Sequence, residues 1–183
     1  VMLNPEYRPR PTSDGIFAEI EINTLKMLSR TRSSYDYWAA RKNGDFYLLK
    51  SLFEDERHPD GPRVIFFNTR IGRATEMFLH CARLYSALGL DPSTYVNIAV
   101  RYSSLQGREM STSNSGRWVP PGFKTSEDTV ETSATSPLSA IEANLVPLVK
   151  QITNPLFILF DFYEVKDPIY EQIVNDYVSG KVT

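Results

Sequence analysis

From Gly15 to Ile22 the chain reads GIFAEIEI, with Ile16, Ala18, Ile20 and Ile22 alternating against Phe17, Glu19 and Glu21. A period of two places one set on a single face, so the segment is expected to be a half-buried strand. In YDYWAARKNGDFYLLKSLF, two aromatic-rich runs flank Asn43-Gly44, a pair that tolerates the positive φ angles of a tight turn. The expectation is a hairpin joining Tyr35–Ala40 to Phe46–Phe53. The polar run 54–63 reads as a loop, and VIFFN, Val64–Asn68, as a short buried strand.

The period then lengthens. At 100° per residue Ile71, Ala74, Phe78, Cys81, Tyr85 and Leu88 fall on one stripe, which predicts a helix from about Thr69 to Leu88 ended by Gly89. Asp91-Pro92 makes a turn, and Thr94–Tyr102 reads as a strand. SSLQGREM follows, with a turn or bulge at Gly107 and a further short strand. Residues 111–137 are rich in Ser and Thr and contain Pro120-Pro121, which marks a long polar loop, with TSEDTVETS as a candidate edge strand. Ser136-Pro137 is a helix start leading into LSAIEANLVPLVKQI, which Pro147 should kink or divide. A last helix, with Asp167 as its cap and Pro168 at its first position, runs to Gly180.

These elements predict an α+β fold, with a mainly antiparallel or mixed sheet packed on one side by the long central helix and the C-terminal helices. Residues 1–14, with three prolines, read as a linker or arm; residues 15–183 read as one domain. The chain has 183 residues, 42% of them hydrophobic, enough for one sizeable core. Its longest apolar run, Leu156–Phe160, falls far short of the roughly 20 residues of a membrane helix, so no membrane partner is expected. The single cysteine, Cys81, lies on the apolar stripe and has no partner for an internal disulfide, which points to the cytoplasm. The chain does not begin with Met and reads as part of something longer.

Net charge is −2, unevenly spread. Residues 1–62 carry 9 basic and 10 acidic side chains, 63–124 carry 8 and 3, and 125–183 carry 3 and 9. The basic middle focuses attention on the start of the long helix, where Arg70 and Arg73 sit at the positive pole of the backbone dipole. Something negative should compensate them. One candidate is internal, the carboxylates of Glu54, Asp55 and Glu56; the other is a ligand phosphate or carboxylate held by first-turn N–H groups, the Thr69 hydroxyl, Arg70 and Arg73. Arg73, Glu76, His80 and Arg83 also form a polar row at helical spacing that can pair with itself. Arg101, Arg108, Arg117 and Lys124, interleaved with Tyr102, Trp118 and Phe123, extend the basic region in the manner of a single-stranded nucleic-acid surface. Trp118 reads first as a cover for the edge of the core and only second as a stacking platform.

Catalytic signals are sparse. His58 and His80 are the only histidines, and no G-x-S-x-G elbow occurs. Asp161, Glu164 and Lys166 echo the acid plus E-x-K set of metal-dependent nucleases, at a spacing too short for an acid delivered from a neighbouring strand. The cluster of Glu54, Asp55, Glu56 and Asp60 suits either a hard cation or plain solvation. No cofactor or resident metal is expected.

GDFYLLKSLFEDE, followed by VIFFNTRIGRATEMFLHCARLYSALGLDPSTYVNIAVRYSSLQGREM, resembles the region that follows an N-terminal divergent AlbA-type (Schlafen-like) DNA-binding domain in some bacterial proteins. The matching features are the aromatic strand ending S-L-F-E-D, the arginine-led helix ending L-Y-S-A-L-G-L, the next strand, and the L-Q-G-R turn. Residues 35–110 carry the likeness, with a weaker echo from Leu145 to Tyr177. The resemblance implies a non-enzymatic regulatory or sensory module of a nucleic-acid-associated protein with a defence or transcriptional role. Its partners would be the N-terminal domain of the same parent chain, nucleic acid, or a second copy. The AlbA-type domain itself is not in this chain, so none of its DNA-contacting residues transfers. Direct nucleic-acid binding through the basic patch and metal-dependent hydrolysis are the alternatives.

Overall fold

Strand β1, Arg10–Thr12, opens a four-stranded antiparallel meander with β2, Gly15–Ile22, β3, Ser34–Arg41, and β4, Phe46–Lys50, in that spatial order. The computed structural model describes residues 8–22, 34–52, 54–55, 63–161 and 163–181. The chain divides into two compact units, Val1–Pro62 and Arg63–Thr183. The arm expected over residues 1–14 thus contributes an edge strand.

Within the first unit the alternation in GIFAEIEI pairs each residue of β2 with one of β3, from Gly15↔Arg41 to Ile22↔Ser34. Gly15 is required at the close end of that ladder, since a Cβ there would meet the Ala40 carbonyl oxygen at 2.0 Å. The β3–β4 hairpin forms as expected. Its turn is held by Arg41 N donating to Asp45 O at 2.9 Å and Asp45 N donating to the Asn43 side chain at 3.1 Å. Gly44 alone takes a positive φ, +95°. Strand β4 ends at Lys50, short of the expected Phe53, which lies outside the described residues.

The second unit begins with β5, Val64–Phe66, which runs directly into α1, Phe67–Ala87. Its other elements are β6, Tyr95–Tyr102; β7, Glu109–Ser111; β8, Val130–Pro137; a 3₁₀ turn, Leu138–Ala140; α2, Leu145–Ile158; and α3, Asp167–Val178. β5 pairs in parallel with β7, and β6 pairs antiparallel with β8. The fold is α+β with mainly antiparallel pairing, and among the described residues its strands are distributed over three sheets.

Helix α1 buries Ile71, Ala74, Phe78 and Cys81 of the predicted stripe, while Leu88, just past its end, is 63% exposed. Its buried side also takes in Thr75, Leu79 and Ala82, because α2 and α3 both pack against it. The core is completed by Leu105, Met110, Ile141, Ile152, Leu156, Phe157 and Tyr170.

Three expectations about helix ends are corrected. Ser136-Pro137 starts a three-residue 3₁₀ turn, not the α-helix expected; β8 continues through Pro137, whose φ of −64° and ψ of 145° are extended. Pro147 neither kinks nor divides α2. It sits in the first turn, where a missing N–H loses no intrahelical bond, and so marks the helix start. Pro155 is the proline inside α2; it lacks the N–H that would bond the Gln151 carbonyl, and both residues are on the exposed side of the helix. Finally, Lys166 rather than Asp167 is the cap of α3, without a side-chain bond; Asp167 begins the helix and pairs with Lys150 of α2. No helix among the described residues is long and apolar enough to cross a membrane.

Candidate anion-contact surface

β5 and β7 are parallel, so their C-terminal ends lie side by side. One end becomes the first turn of α1, and the other becomes the loop Thr112–Trp118. A helix N-terminus leaves its first backbone N–H groups without intrahelical partners, and here that first turn is largely buried, with Phe67, Asn68 and Arg70 covered and Thr69 half-exposed. Phe66, the cap of α1, has no side chain able to bond those N–H groups, and the first turn holds no acidic residue.

Asn68, fully buried, ties the two segments together. Its Nδ2 donates to Ser113 Oγ at 2.7 Å, and its Oδ1 accepts from Thr112 Oγ1 and from Ser113 N, each at 3.1 Å. The Thr69 hydroxyl stands 3.4 Å from that of Ser113. The loop then folds on itself, with Asn114 accepting from Gly116 N at 2.8 Å and from Arg117 N at 3.1 Å. This turn places Arg117 against α3, where its Nη2 donates to Gln172 Oε1 at 3.0 Å; its other terminal nitrogen is buried and has no hydrogen-bond partner among the described residues.

Beneath the loop, Tyr163 makes ring contacts with Phe123 at 5.1 Å and Phe67 at 5.8 Å. Burial pushes the Tyr163 phenol above its usual range, and the nearby Arg117 guanidinium pulls it back in part. Trp118 does not cover the core edge: it is 77% exposed, although the loop around it is internally bonded.

The structure therefore ties Thr69 to the start of the loop that carries Arg117 and Trp118, sets Arg117 itself against α3, and distributes the other expected contacts elsewhere. Arg73 is exposed one turn beyond Thr69 and pairs with Glu76 at 2.6 Å, the self-paired row anticipated from spacing. That row faces α3, where burial and Glu76 raise the Tyr177 phenol while Arg73 and Arg83 lower it. Arg70 is buried, its guanidinium 6.0 Å from the centre of the Tyr102 ring. Arg101 is exposed on β6, directly opposite Glu131 of β8. Arg108 is 1% exposed; its Nε donates to Ser104 O at 2.7 Å and its Nη1 to Val64 O at 3.0 Å. Those bonds lie at the opposite end of β5 from the α1 terminus and hold the chain together.

Sequence reasoning missed Asn68, Ser113 and Gln172. An asparagine closing the otherwise apolar VIFFN was the available signal for the first, whereas nothing distinguishes Ser113 among its Ser and Thr neighbours. Asp161, Glu164 and Lys166 are all exposed around the turn before α3. Among the described residues no three His, Cys, Asp or Glu side chains are grouped to hold a metal ion. Glu56, His58 and Asp60 lie outside those residues. No protein-family model, curated protein or solved structure matches the chain.

Proposed function

We propose that this chain is a non-enzymatic ligand-sensing and interaction module of a larger, nucleic-acid-associated cytoplasmic protein. Its contact surface is the junction of the first turn of α1 with the Thr112–Trp118 loop, and its ligand is an anion, the backbone phosphate of a single-stranded nucleic acid. One observation carries this reading: an arginine and an almost fully exposed tryptophan, adjacent in sequence, are held by a bonded loop beside a helix start with no acidic residue in its first turn. Exposed indole on a fixed loop offers a stacking platform, and a guanidinium on the loop that follows a helix N-terminus suits phosphate. The overall basic balance of residues 63–124 supports the same ligand class.

Fluorescence anisotropy with labelled single-stranded DNA and RNA at two salt concentrations tests the reading. Binding should weaken with salt along a slope of about −0.7 per neutralised phosphate. Absence of binding at low salt, or binding indifferent to salt, would overturn it.

A further inference from the structure

Beyond Ser111 the chain turns back along β7. The returning residues, Phe123 to Thr125, lie antiparallel to it: Met110 N donates to Phe123 O at 2.8 Å, Gly107 N to Thr125 O at 2.9 Å, and Glu109 stands opposite Lys124. Arg117 and Trp118 are thus carried on the tip of a hairpin, residues 112–122. Its outgoing arm is tied down by Asn68 through Thr112 and Ser113. Its returning arm is tied down by Glu109, whose Oε1 accepts from Gly122 N at 2.8 Å while Oε2 stands 3.7 Å from Lys124 Nζ. The Glu109 side chain is mostly covered, and Phe123, next to this clamp, packs its ring on Tyr163 at 5.1 Å.

Between the clamp and Trp118 lie Val119, Pro120 and Pro121. Each proline fixes its own φ, and each holds the residue before it in extended backbone, so Val119 and Pro120 have little freedom left. Such a pair is a short polyproline strut, stiff without internal hydrogen bonds. It ends at Gly122, whose φ of +107° turns the chain toward Glu109, a conformation that glycine adopts without strain. Trp118 is mostly in water, so the direction of its ring is set by the backbone that carries it.

We propose that Glu109 is the positioning residue of the Trp118 platform: by holding Gly122 N it fixes one end of the Pro120-Pro121 strut, and the strut carries that constraint to the indole. The proposal rests on the reading of Trp118 as a stacking surface for a single-stranded nucleic acid. A ring already held in place loses less freedom when a base stacks on it, so the clamp contributes affinity without touching the ligand. The charge of Glu109 acts the other way, because a carboxylate in a basic region repels phosphate. The two effects of this residue are therefore separable by sign. Removing its charge tightens binding, and removing its hydrogen bond to Gly122 weakens it.

Trp38 and Trp118 are the only tryptophans, so Trp38→Phe leaves Trp118 as the sole indole emitter. In that background, time-resolved fluorescence anisotropy of the full chain should show added fast local motion of the indole in Glu109→Ala. Glu109→Gln should not show it, since its carboxamide oxygen still accepts from Gly122 N. Replacing Pro120 and Pro121 together by alanine should free the indole with Glu109 in place. Both Glu109 variants lose the same charge, so comparing them isolates the hydrogen bond. Glu109→Gln should bind labelled single-stranded DNA at least as tightly as the parent, and Glu109→Ala about three- to tenfold more weakly than Glu109→Gln at an equal salt slope. With Trp118→Ala added, the two should bind alike. An indole as immobile in Glu109→Ala as in Glu109→Gln, equal affinities of the two, or a difference that persists without Trp118 overturns the proposal. A parent chain that binds no single strand overturns the reading of the surface instead, and the motion of the indole then still decides whether Glu109 positions it.

Discussion

Asn68 and Ser113 are joined twice, the Asn68 carboxamide donating to Ser113 Oγ at 2.7 Å and accepting from Ser113 N at 3.1 Å. The pair fixes the first turn of α1 to the loop that presents Arg117 and Trp118. Asn68→Ala removes both bonds and leaves the half-buried Ser113 N–H and Thr112 hydroxyl without this partner, which should destabilise the fold by about 1 to 2 kcal/mol. Asn68→Asp keeps an acceptor for both donors, lets the Ser113 hydroxyl turn to donate, and places a carboxylate at a helix N-terminus, so it should cost less than the alanine variant. Urea denaturation of both variants, compared at constant slope, checks the order.

Arg108 predicts the opposite of what its charge suggests. Its guanidinium is spent on the carbonyls of Ser104 and Val64 inside the second unit, and Ser104 takes a positive φ of 59° beside it. Arg108→Ala should destabilise by about 3 kcal/mol, through two abandoned carbonyls and the volume lost. Arg108→Lys should recover little of this, because an ammonium cannot reproduce the geometry of the planar fork. Thermal melts measure the loss. Nucleic-acid affinity, scored on the folded fraction, should be unchanged in Arg108→Lys.

These residues show where the sequence was readable. Periodicity found β2, the β3–β4 hairpin and α1, because alternation and the 100° stripe are consequences of local geometry that burial only reinforces. Proline gave a correct warning at the wrong strength: whether Pro147 or Pro155 breaks a helix depends on its distance from the start and on whether the abandoned carbonyl faces water. Burial of a charged side chain is a tertiary property. Arg108 and Arg117 look alike in the sequence, and only the parallel pairing of β5 with β7 sends one into the backbone and the other to the loop at the far end. Trp118 shows the same limit: nothing local in the sequence separates a cover for the core edge from an exposed loop residue, and in the fold it is 77% exposed.

Alkaline pH should weaken the second unit in two steps. Burial raises the Cys81 thiol from 9.0 to about 11, and burial raises the Tyr170 phenol from 10.0 to about 12, against the opposing hydrogen bond from Thr153. Both groups stay neutral in the folded chain at a pH where the unfolded chain ionises, so the stability they contribute is complete below pH 9 and 10 respectively. It is lost as pH rises toward about 11 for Cys81 and about 12 for Tyr170. Denaturation midpoints measured across this range should fall, and Cys81→Ala should flatten the earlier part and Tyr170→Phe the later. An unaltered profile in both variants would remove the assignment.

Arg117 and Trp118 are neighbours with different expected roles, and that difference separates phosphate contact from stacking. Arg117 supplies charge: its half-buried side chain is anchored on Gln172 through Nη2, and its other terminal nitrogen is buried with no hydrogen-bond partner among the described residues. Arg117→Ala should therefore reduce the salt slope of single-strand binding by about one phosphate contact, roughly 0.7. Trp118 supplies a flat apolar face and no charge, so Trp118→Ala should weaken binding by about 1 to 3 kcal/mol at every salt concentration without changing the slope. Gln172→Ala leaves both groups in place but loosens the guanidinium, and should give a smaller loss than Arg117→Ala with the slope nearly intact. If both Arg117→Ala and Trp118→Ala leave affinity and slope as they are in the parent chain, the junction at the start of α1 is a structural seam and any ligand of this protein binds elsewhere.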